Sequence, residues 1–246
     1  MEETLIGGRN PVLETLKSGR AIHKIWMADG VKPAAVDKIV TLAKQNNIII
    51  QRVPKKKLDE MNVDNHQGIV AKVAAYQYHT LDDLFWRAKE RNEMPFFLIL
   101  DEIEDPHNLG SIMRTADCVG VHGIIIPKHR AVGLTHTVAK ASTGAIEHIP
   151  VVRVTNLSQT IKQLKEAGLW IMAADLQRSK DYRELEADFP LALVIGSEGR
   201  GISRIVSRNC DFIYRLPMVG HVTSLNASVA ASLFLYEIYR KRNPLL

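Results

Sequence analysis

Short apolar segments separated by helical patterns recur along the sequence after Pro95. They occupy residues 96–100, 123–126, 149–154, 170–174, 191–195 and 212–216. The stretches between them have the periodicity of helices, and two of these stop at Gly120 and Gly168. Apolar strands that alternate with helices are typical of a parallel sheet covered on both faces. The sequence therefore predicts an α/β domain with a parallel sheet over residues 96–246.

A smaller α/β domain is predicted in front of it, over residues 1–75. Helical patterns near 10–17, 33–45 and 55–61 alternate there with apolar stretches at 22–28, 48–53 and 68–75. Residues 76–95 break this alternation, and we expect them to form a connector that contains a helix. Thr80 and Asp83 have the spacing of a capping box at the start of that helix, and Pro95 ends the stretch.

The composition excludes several classes of protein. The 246 residues are 46% hydrophobic, which suffices for a large buried core, yet no apolar run is long enough to cross a bilayer. The start of the chain lacks the basic end and apolar core of a signal peptide, so we expect a cytoplasmic protein without a membrane partner. Cys118 and Cys210 are the only cysteines, and no two histidines have metal-ligand spacing beside an acid. We therefore expect neither disulfides nor a metal site.

The net charge of +5 favours a polyanionic partner, and its distribution favours one end of the chain. Residues 1–78 contain 12 Lys and Arg against 8 Asp and Glu, a net charge of +4. The remaining residues carry 20 against 19, a net charge of +1. The front of the chain is therefore the predicted platform for RNA.

The glycine-rich turn of the larger domain comes late in the chain. An ordinary dinucleotide-binding or Rossmann fold has this turn directly after its first strand. Here residues 101–108, which are rich in acids, follow the first predicted strand, and Gly196, Gly199 and Gly201 come only after the fifth. This order excludes the standard Rossmann arrangement. The glycines by themselves would indicate no more than a tight turn.

Three polar segments follow predicted strands in the larger domain, at residues 108–116, 193–201 and 217–231. The last of them passes from a strand into a helix through polar residues that a small core does not require. In this order, the three segments resemble the signature motifs of the SpoU/TrmH family of SPOUT-class RNA 2′-O-ribose methyltransferases. The resemblance covers nearly the whole chain and is strongest in the larger domain.

The resemblance implies a fold and a cofactor. In this family the carboxyl-terminal part of the larger domain is tied in a trefoil knot, and S-adenosylmethionine (AdoMet) binds in a bent shape in a deep cleft. The cofactor-binding residues that it implies are Gly196, Gly201, Leu216, Met218, Ser224 and Leu225. Knots are rare among proteins in general, so the expected knot rests on the resemblance alone.

Arg114 is the catalytic residue that the resemblance implies most directly. Within the helical pattern of Leu109, Ile112 and Ala116, it could equally be a solvent-facing side chain. A guanidinium offers a fork of donors that suits a phosphate or a ribose 2′-oxygen, but it does not readily lose its own proton. We therefore expect Arg114 to hold the 2′-hydroxyl or a neighbouring phosphate and to stabilise the developing alkoxide, although family accounts often assign it proton abstraction.

Four more residues complete the implied catalytic set: Asn108, Glu198, Ser224 and Asn226. The family places Asn108 near the arginine, and Ser224 with Asn226 near the target ribose and the methyl group. Structural roles stay open as well. Both asparagines suit helix capping, and Glu198 suits the positive end of a helix dipole.

Rival RNA-methylating chemistries leave no trace in the sequence. Methylation at C5 of a base needs a reactive cysteine, whereas Cys118 is predicted inside a helix and Cys210 just before a strand. Methylation of an exocyclic amine commonly uses an Asn/Asp-Pro-Pro-aromatic motif. The sequence has Asn-Pro only at residues 10–11 and 243–244, without the rest of that motif.

The smaller domain resembles the RNA-binding module of the same family, at residues 7–11 and 65–68. The closest likeness is to the bacterial branch that methylates a guanosine in 23S ribosomal RNA. An enzyme that acts on a transfer RNA guanosine is the first alternative. A non-catalytic RNA-binding protein that retains the fold is the second.

We also expect a homodimer. The last predicted helix, residues 225–242, has more apolar side chains than one buried face requires. These are Leu225, Val229, Leu233, Leu235 and Tyr236. The surplus predicts that the helix contributes to an interface between two copies of the chain.

Overall fold

The structure is a computed structural model that describes residues 3–63, 65–176 and 179–244. The chain divides into two compact units. Unit 1 comprises residues 1–77 and 134–148, and unit 2 comprises residues 78–133 and 149–246. Among the described residues, no helix is long and apolar enough to cross a membrane.

The first part of unit 1 contains four strands and three helices over the residues described. In chain order they are β1 (Glu3–Gly7), α1 (Arg9–Ser18), β2 (Ile22–Ala28), α2 (Asp37–Gln45), β3 (Ile50–Val53), α3 (Lys55–Asp59) and β4 (Ile69–Ala74). The strands form a sheet in the order β1-β4-β2-β3, in which only β2 and β3 pair in parallel. The sequence did not predict β1, because five residues that end in glycine carry little strand pattern.

The rest of the chain follows the predicted alternation of strands and helices. Its elements are α4 (Leu81–Glu90), β5 (Phe96–Asp101), α5 (Pro106–Cys118), β6 (Gly123–Pro127), α6 (His136–Ser142), β7 (Val151–Val154), α7 (Leu157–Glu166), β8 (Trp170–Ala174), β9 (Lys180–Asp181), β10 (Leu191–Gly196), α8 (Arg204–Ser207), β11 (Phe212–Arg215) and α9 (Ala227–Arg242). Short 3-10 turns lie at Pro33–Ala35, Ala145–Glu147 and Tyr182–Glu184. All elements from α4 onward belong to unit 2, except α6 and the turn Ala145–Glu147, which belong to unit 1.

Seven parallel strands form the sheet of unit 2 within the described ranges. Their order is β7-β6-β5-β10-β8-β11-β9. The strand β5 is buried along its whole length, because elements cover both of its faces, and this explains its unbroken run of apolar residues. The prediction of an α/β fold with a parallel sheet is confirmed. Only the two-residue strand β9 adds to the six strands predicted after Pro95.

Helix α4 begins at the capping box that the sequence predicts. The Thr80 hydroxyl accepts a hydrogen bond from the Asp83 backbone N–H at 3.3 Å, and the Asp83 carboxylate accepts one from the Thr80 backbone N–H at 2.8 Å. This reciprocal pair satisfies two amide groups that the first turn of a helix leaves without partners.

Segment 134–148 is anchored in unit 1 by a buried carboxylate. Glu147 accepts hydrogen bonds from Arg20 Nη1 at 3.0 Å, from the Ser18 hydroxyl at 3.2 Å and from the Thr15 hydroxyl at 3.3 Å. All three donors lie in or just after α1. This packing is not predictable from the sequence, because the segment lies within the larger predicted domain and its partners are more than a hundred residues away.

Candidate functional site

The three polar segments that follow strands meet at one end of the sheet of unit 2. Strands β5 and β10 are neighbours and run in parallel, so the residues after Asp101 and after Gly196 emerge side by side. Strand β11 runs in the same direction, and the chain after it leads to the start of α9. The carboxyl ends of parallel strands are the usual place for a ligand in an open α/β sheet.

A cavity of about 370 Å³ opens at this end of the sheet. All the residues predicted to bind the cofactor line it: Gly196, Gly201, Leu216, Met218, Ser224 and Leu225. Its volume falls in the range of about 300–1,000 Å³ that is usual for small-molecule sites. The structure thus brings together residues from three separate segments of the sequence.

Glycines allow the backbone to approach closely and turn tightly at one wall of this cavity. A Cβ atom on Gly196 would lie 2.2 Å from the carbonyl carbon of Gly201, so a side chain is excluded there. The backbones of Ser197 and Gly201 exchange two hydrogen bonds, at 2.9 and 3.1 Å, which close a tight turn. Gly199 and Gly201 adopt left-handed backbone angles, with φ of 79° and 66°. At its glycines, the turn therefore presents bare backbone to a ligand.

The lining suits a nucleoside-sized ligand such as AdoMet. Leu216, Met218 and Leu225 give the cavity an apolar wall, and the turn at 197–201 supplies backbone donors and acceptors beside it. An adenine ring needs apolar contact on its faces and a few backbone partners at its edge, and the cavity combines both.

An amide and carboxylate cluster lies beside the cavity. Glu198 Oε1 accepts hydrogen bonds from Asn108 Nδ2 and from the Ala227 backbone N–H, both at 3.1 Å, and from Asn226 Nδ2. Asn226 Nδ2 also donates to Asn108 Oδ1 at 2.9 Å. Three residues of the predicted catalytic set are thus in direct contact, one from each motif segment. We call Asn108, Glu198 and Asn226 the amide cluster.

The hydrogen bonds of Asn226, Asn108 and Glu198 show which of them has the structural role that the sequence suggested. Asn226 is the N-cap of α9, where its Oδ1 accepts from the Ser228 backbone N–H at 2.9 Å. Asn108 does not cap α5, because Asp105 occupies the cap and Asn108 lies inside the first turn. Glu198 lies at the amino-terminal end of α9, through Ala227, and so meets the positive end of that helix dipole.

Arg114 lies apart from the amide cluster. It is exposed on α5, six residues beyond Asn108, which corresponds to about 9 Å along the helix axis and a different face. Within the described part of the chain, Arg114 makes no hydrogen bond or ion pair. Its neighbour Thr115 bonds to Ser232 of α9 at 3.0 Å, so α5 contacts α9 one residue beyond Arg114.

Asp101 supports the glycine turn, a role that the sequence analysis did not predict. It ends β5, is buried, and its carboxylate accepts a hydrogen bond from the Ser203 backbone N–H at 2.8 Å. This bond fixes the chain directly after the glycine turn. An acid at the end of an otherwise apolar strand was the available signal.

The structure gives the two cysteines no reactive setting of the kind that C5 methylation needs. Burial raises the pKa of the Cys210 thiol to about 12, which keeps it protonated and a poor nucleophile. Cys118 is the last residue of α5, remote from the cavity lining. Among the described residues, no group of three His, Cys, Asp or Glu side chains could hold a metal ion.

Comparison with known proteins identifies both parts of the chain. The profile of the SpoU rRNA methylase family matches residues 95–236. A second profile, described as RNA 2′-O ribose methyltransferase substrate binding, matches residues 5–79.

Relatives with curated names extend over the whole chain. A TrmH family tRNA/rRNA methyltransferase of Bacillus subtilis is 62% identical over 237 residues, which cover 96% of this chain and 95% of the relative. A protein of the same name from Staphylococcus aureus is 55% identical over 243 residues, covering 99% and 98% of the two chains.

Solved structures share the fold. The SpoU methyltransferase AviRb from Streptomyces viridochromogenes, in complex with AdoMet, superposes with a TM-score of 0.80 at 26% identity, over 98% of this chain and 90% of that one. An AdoMet-bound rRNA methyltransferase from Sinorhizobium meliloti superposes with a TM-score of 0.79 at 26% identity, over 99% and 88%.

Proposed function

This chain belongs to the SpoU rRNA methylase family, and on that premise we propose that it methylates the ribose 2′-hydroxyl of a guanosine in 23S ribosomal RNA. As a member of the TrmH/SpoU family it is an RNA methyltransferase that uses AdoMet. The position of methylation, the base and the RNA are the parts that we propose. The cytoplasm, where RNA and cofactor meet, is the proposed place of action.

The observation that carries the proposal is the amide cluster beside the 370 Å³ cavity. When bound, AdoMet supplies the methyl group on its sulfonium centre. Gly196, Leu216 and Leu225 would hold it in the cavity. The ribose would then lie against Asn108 and Asn226, with its 2′-oxygen aligned with the methyl group.

We assign each polar residue a role from its contacts or from its place in the motif segments. Glu198 receives three donors, so we assign it to positioning the two asparagines rather than to accepting the ribose proton. Ser224 lines the cavity two residues before Asn226 and is assigned to the ribose and methyl region. Arg114 lies apart from the amide cluster of its own chain, so it would hold the 2′-hydroxyl or a neighbouring phosphate at the site of a second copy. There it would stabilise the negative charge that develops on the oxygen while the hydroxyl proton passes to solvent.

A homodimer fits the surface of α9. Four exposed apolar side chains lie three or four residues apart on one face of this helix: Val229, Leu233, Tyr236 and Tyr239. Leu225, just before the helix, is exposed as well. Leu235, which the sequence analysis assigned to the interface, is instead fully buried in its own chain. Because α5 contacts α9 through Thr115 and Ser232, pairing through this face would bring α5, which carries Arg114, near the second copy.

Unit 1 is the proposed RNA platform. An open groove of about 960 Å³ there is lined by Arg9, Lys32 and Lys55, together with His66 and Gln67. The Nε atom of Arg9 is buried and lacks a hydrogen-bond partner among the described residues. A buried donor without a partner is rare in a folded protein, which singles out Arg9 among the cations of the groove.

The first test replaces Arg114 with alanine and measures methyl transfer and AdoMet binding. We expect transfer to fall about 100- to 1,000-fold, as for the loss of one preorganised donor, with AdoMet affinity nearly unchanged. Lys162→Ala, which removes an exposed cation from α7 of the same unit, is the control and should retain its activity. A near-normal rate in Arg114→Ala would remove Arg114 from the mechanism.

The second test identifies the substrate. Sites of 2′-O-methylation are mapped in ribosomal and transfer RNA from cells with and without the protein. A single guanosine lost from the 23S map supports the proposal. The loss of a single site from the transfer RNA map supports a transfer RNA substrate, which the names of the relatives leave open. Unchanged maps together with inactive purified protein support a non-catalytic RNA-binding role.

A further inference from the structure

Three charged residues form a row across neighbouring strands of unit 2. Strands β6, β5 and β10 are adjacent in the sheet and run in parallel. Arg130, Glu102 and Arg200 follow their respective carboxyl ends. Arg130 Nη1 donates to Glu102 Oε1 at 3.0 Å, and Arg200 Nη1 donates to Glu102 Oε2 at 3.5 Å. One carboxylate thus holds two arginines that come from different loops.

The arginines remain largely in water although they are paired. The side chains of Arg130 and Arg200 are 72% and 78% exposed, whereas that of Glu102 is 18% exposed. A guanidinium has five N–H donors, and each arginine uses one of them on the glutamate. The row therefore carries one net positive charge and presents most of its donors outward.

Stability does not account for this arrangement. Exposed ion pairs contribute little to folding. Glu102 and Arg130 both have left-handed backbone angles, with φ of 59° and 55°, which side chains other than glycine adopt at an energetic cost. Strain of this kind that brings no compensating stability is typical of functional sites.

We propose that Glu102 positions Arg130 and Arg200 as a clamp for the RNA phosphates that flank the target ribose. This inference rests on the proposed RNA methyltransferase site. The partner is a phosphodiester backbone, because two forked, exposed guanidiniums held side by side suit adjacent phosphate groups. Glu102 is a positioning residue in this scheme, and the arginines make the contacts.

A recess joins the clamp to the amide cluster. It measures about 230 Å³ and is lined on one side by Glu102 and Arg200, and on the other by Asn108 and Glu198. A ribose held at Asn108 would therefore have its neighbouring phosphates directed along the row. The recess itself is too acidic to attract a phosphate, so the contacts fall to the exposed arginines at its rim.

The test measures RNA affinity over a salt series for Arg130→Ala, Arg200→Ala and the double variant. The probes are transcripts of 23S ribosomal RNA and of a transfer RNA. Each single variant should bind about tenfold more weakly. Each should also lower the slope of log K against log salt by about 0.7, and the double variant by twice that amount.

Arg183→Ala is the matched control. Arg183 is 68% exposed and pairs with Asp181, which is 19% exposed, so its charge and exposure resemble those of the clamp arginines. It follows β9, at the far end of the sheet from β6. Its slope should equal that of the unchanged protein. If Arg183→Ala lowers the slope as much as the clamp variants do, or if none of them lowers it, the clamp does not exist.

The Glu102→Gln variant distinguishes correct placement of the RNA phosphates from simple electrostatic attraction of the RNA. Removal of a negative charge should leave the KM for RNA unchanged or lower, while kcat falls about tenfold because the phosphates are held in the wrong place. AdoMet affinity should not change. An unchanged kcat, or a loss explained by weaker AdoMet binding, overturns the positioning role.

The clamp and the proposed function fail in different ways. Unchanged protein that transfers no methyl group to either transcript contradicts the proposed function, whatever the salt slopes show. Unchanged protein that is active, with variants whose affinity and slopes match it, contradicts the clamp alone.

Discussion

Among the glutamates that accept hydrogen bonds from arginine side chains, Glu147 and Glu102 do so in very different surroundings. In unit 1, the side chains of Glu147 and Arg20 are 6% and 10% exposed. In unit 2, Glu102 is 18% exposed, but its partners Arg130 and Arg200 are 72% and 78% exposed. The carboxylates resemble each other, and the difference lies in the arginines.

The other N–H groups of these arginines show the consequence of this difference in exposure. Arg20 also donates through Nε to the Ala74 carbonyl at 2.9 Å, and its guanidinium lies 3.5 Å from the centre of the Tyr76 ring. Arg20 therefore uses its guanidinium donors on groups of its own domain. Arg130 and Arg200 each use one donor on Glu102, and their other donors stay exposed. An ion pair by itself does not distinguish a structural arginine from one that binds a ligand. A buried guanidinium such as that of Arg20 has no donors left for a ligand, whereas an exposed one keeps them accessible.

The largest expected effect is on the buried pair. Glu147→Ala should lower the free energy of unfolding of unit 1 by about 3–5 kcal/mol, because it leaves the Arg20 charge buried without its partner. Denaturant unfolding followed by Trp26 fluorescence measures this, in a background where the exposed Trp86 and Trp170 are phenylalanine. Glu147→Gln keeps an acceptor for the hydroxyls of α1 and should lose less. A loss below about 1 kcal/mol would mean that Glu147 contributes no more to stability than an exposed ion pair does.

Arg242 is an arginine of unit 2 whose donors, like those of Arg20, bond to groups of its own domain. It donates to four backbone carbonyls at 2.7–3.3 Å: those of Ala187, Met94, Pro95 and Phe189. Burial lowers its pKa to about 10, which still leaves it charged at neutral pH. Arg242→Ala should lower the free energy of unfolding by about 2–3 kcal/mol.

Arg242→Lys is the informative partner variant, since a lysine retains the charge but has no planar fork to reach four carbonyls. We expect it to recover less than half of the loss. Full recovery would mean that charge, rather than directed hydrogen bonds, holds the end of α9. Thermal unfolding of both variants at pH 7 gives the answer.

His122 provides a test by pH. Its buried ring accepts a hydrogen bond from the Phe96 backbone N–H at Nδ1, at 3.0 Å, and its Nε2 lies 2.9 Å from a carboxylate oxygen of Glu93. Burial lowers the pKa of His122, against an opposing effect of Glu93, while the charges of Arg91 and Arg242 lower it further. Protonation at Nδ1 would break the bond to Phe96.

The sign of the pH effect follows from this lowered pKa. Below the ordinary histidine pKa, the unfolded chain binds a proton that the folded chain does not, so stability falls as the pH drops from about 6.5 toward the folded value. We therefore expect the protein to be less stable at pH 5 than at pH 7. His122→Gln should show less pH dependence over the same range. Identical pH profiles would show that His122 does not titrate in this way.

Much of the fold follows from local sequence. The six strands after Pro95 are predicted because each is a short apolar run that ends at a turn, and the capping box at Thr80 is predicted because its residues lie three apart. Motif segments placed the lining of the cavity and the amide cluster, including Asn226. These features depend on neighbours in sequence or on a pattern that the whole family carries.

The rest depends on contacts between distant residues. Segment 134–148 packs in unit 1 through Glu147, whose partners in and after α1 carry no mark of that pairing in the sequence. The burial of Leu235 depends on which face of α9 meets the rest of unit 2, and an evenly apolar helix does not specify that face. The row of Glu102, Arg130 and Arg200 appears only once the strand order is known, because it joins loops that are up to 98 residues apart.

The smallest expected effect on stability is at Glu102, and it completes the comparison with Glu147. Glu102→Gly removes two exposed ion pairs, worth about 0–1 kcal/mol together, and relieves a left-handed backbone that costs about 1–2 kcal/mol for a residue with a side chain. Glycine also adds about 0.5–1 kcal/mol of chain entropy to the unfolded state. These contributions nearly cancel, so the free energy of unfolding should change by less than about 1 kcal/mol in either direction. Denaturant unfolding of unit 2 measures this change, and turnover is measured on the same sample. A stable Glu102→Gly variant with reduced turnover would show that the Glu102 side chain serves RNA placement rather than stability. A loss of more than about 2 kcal/mol would instead make Glu102 a structural residue like Glu147.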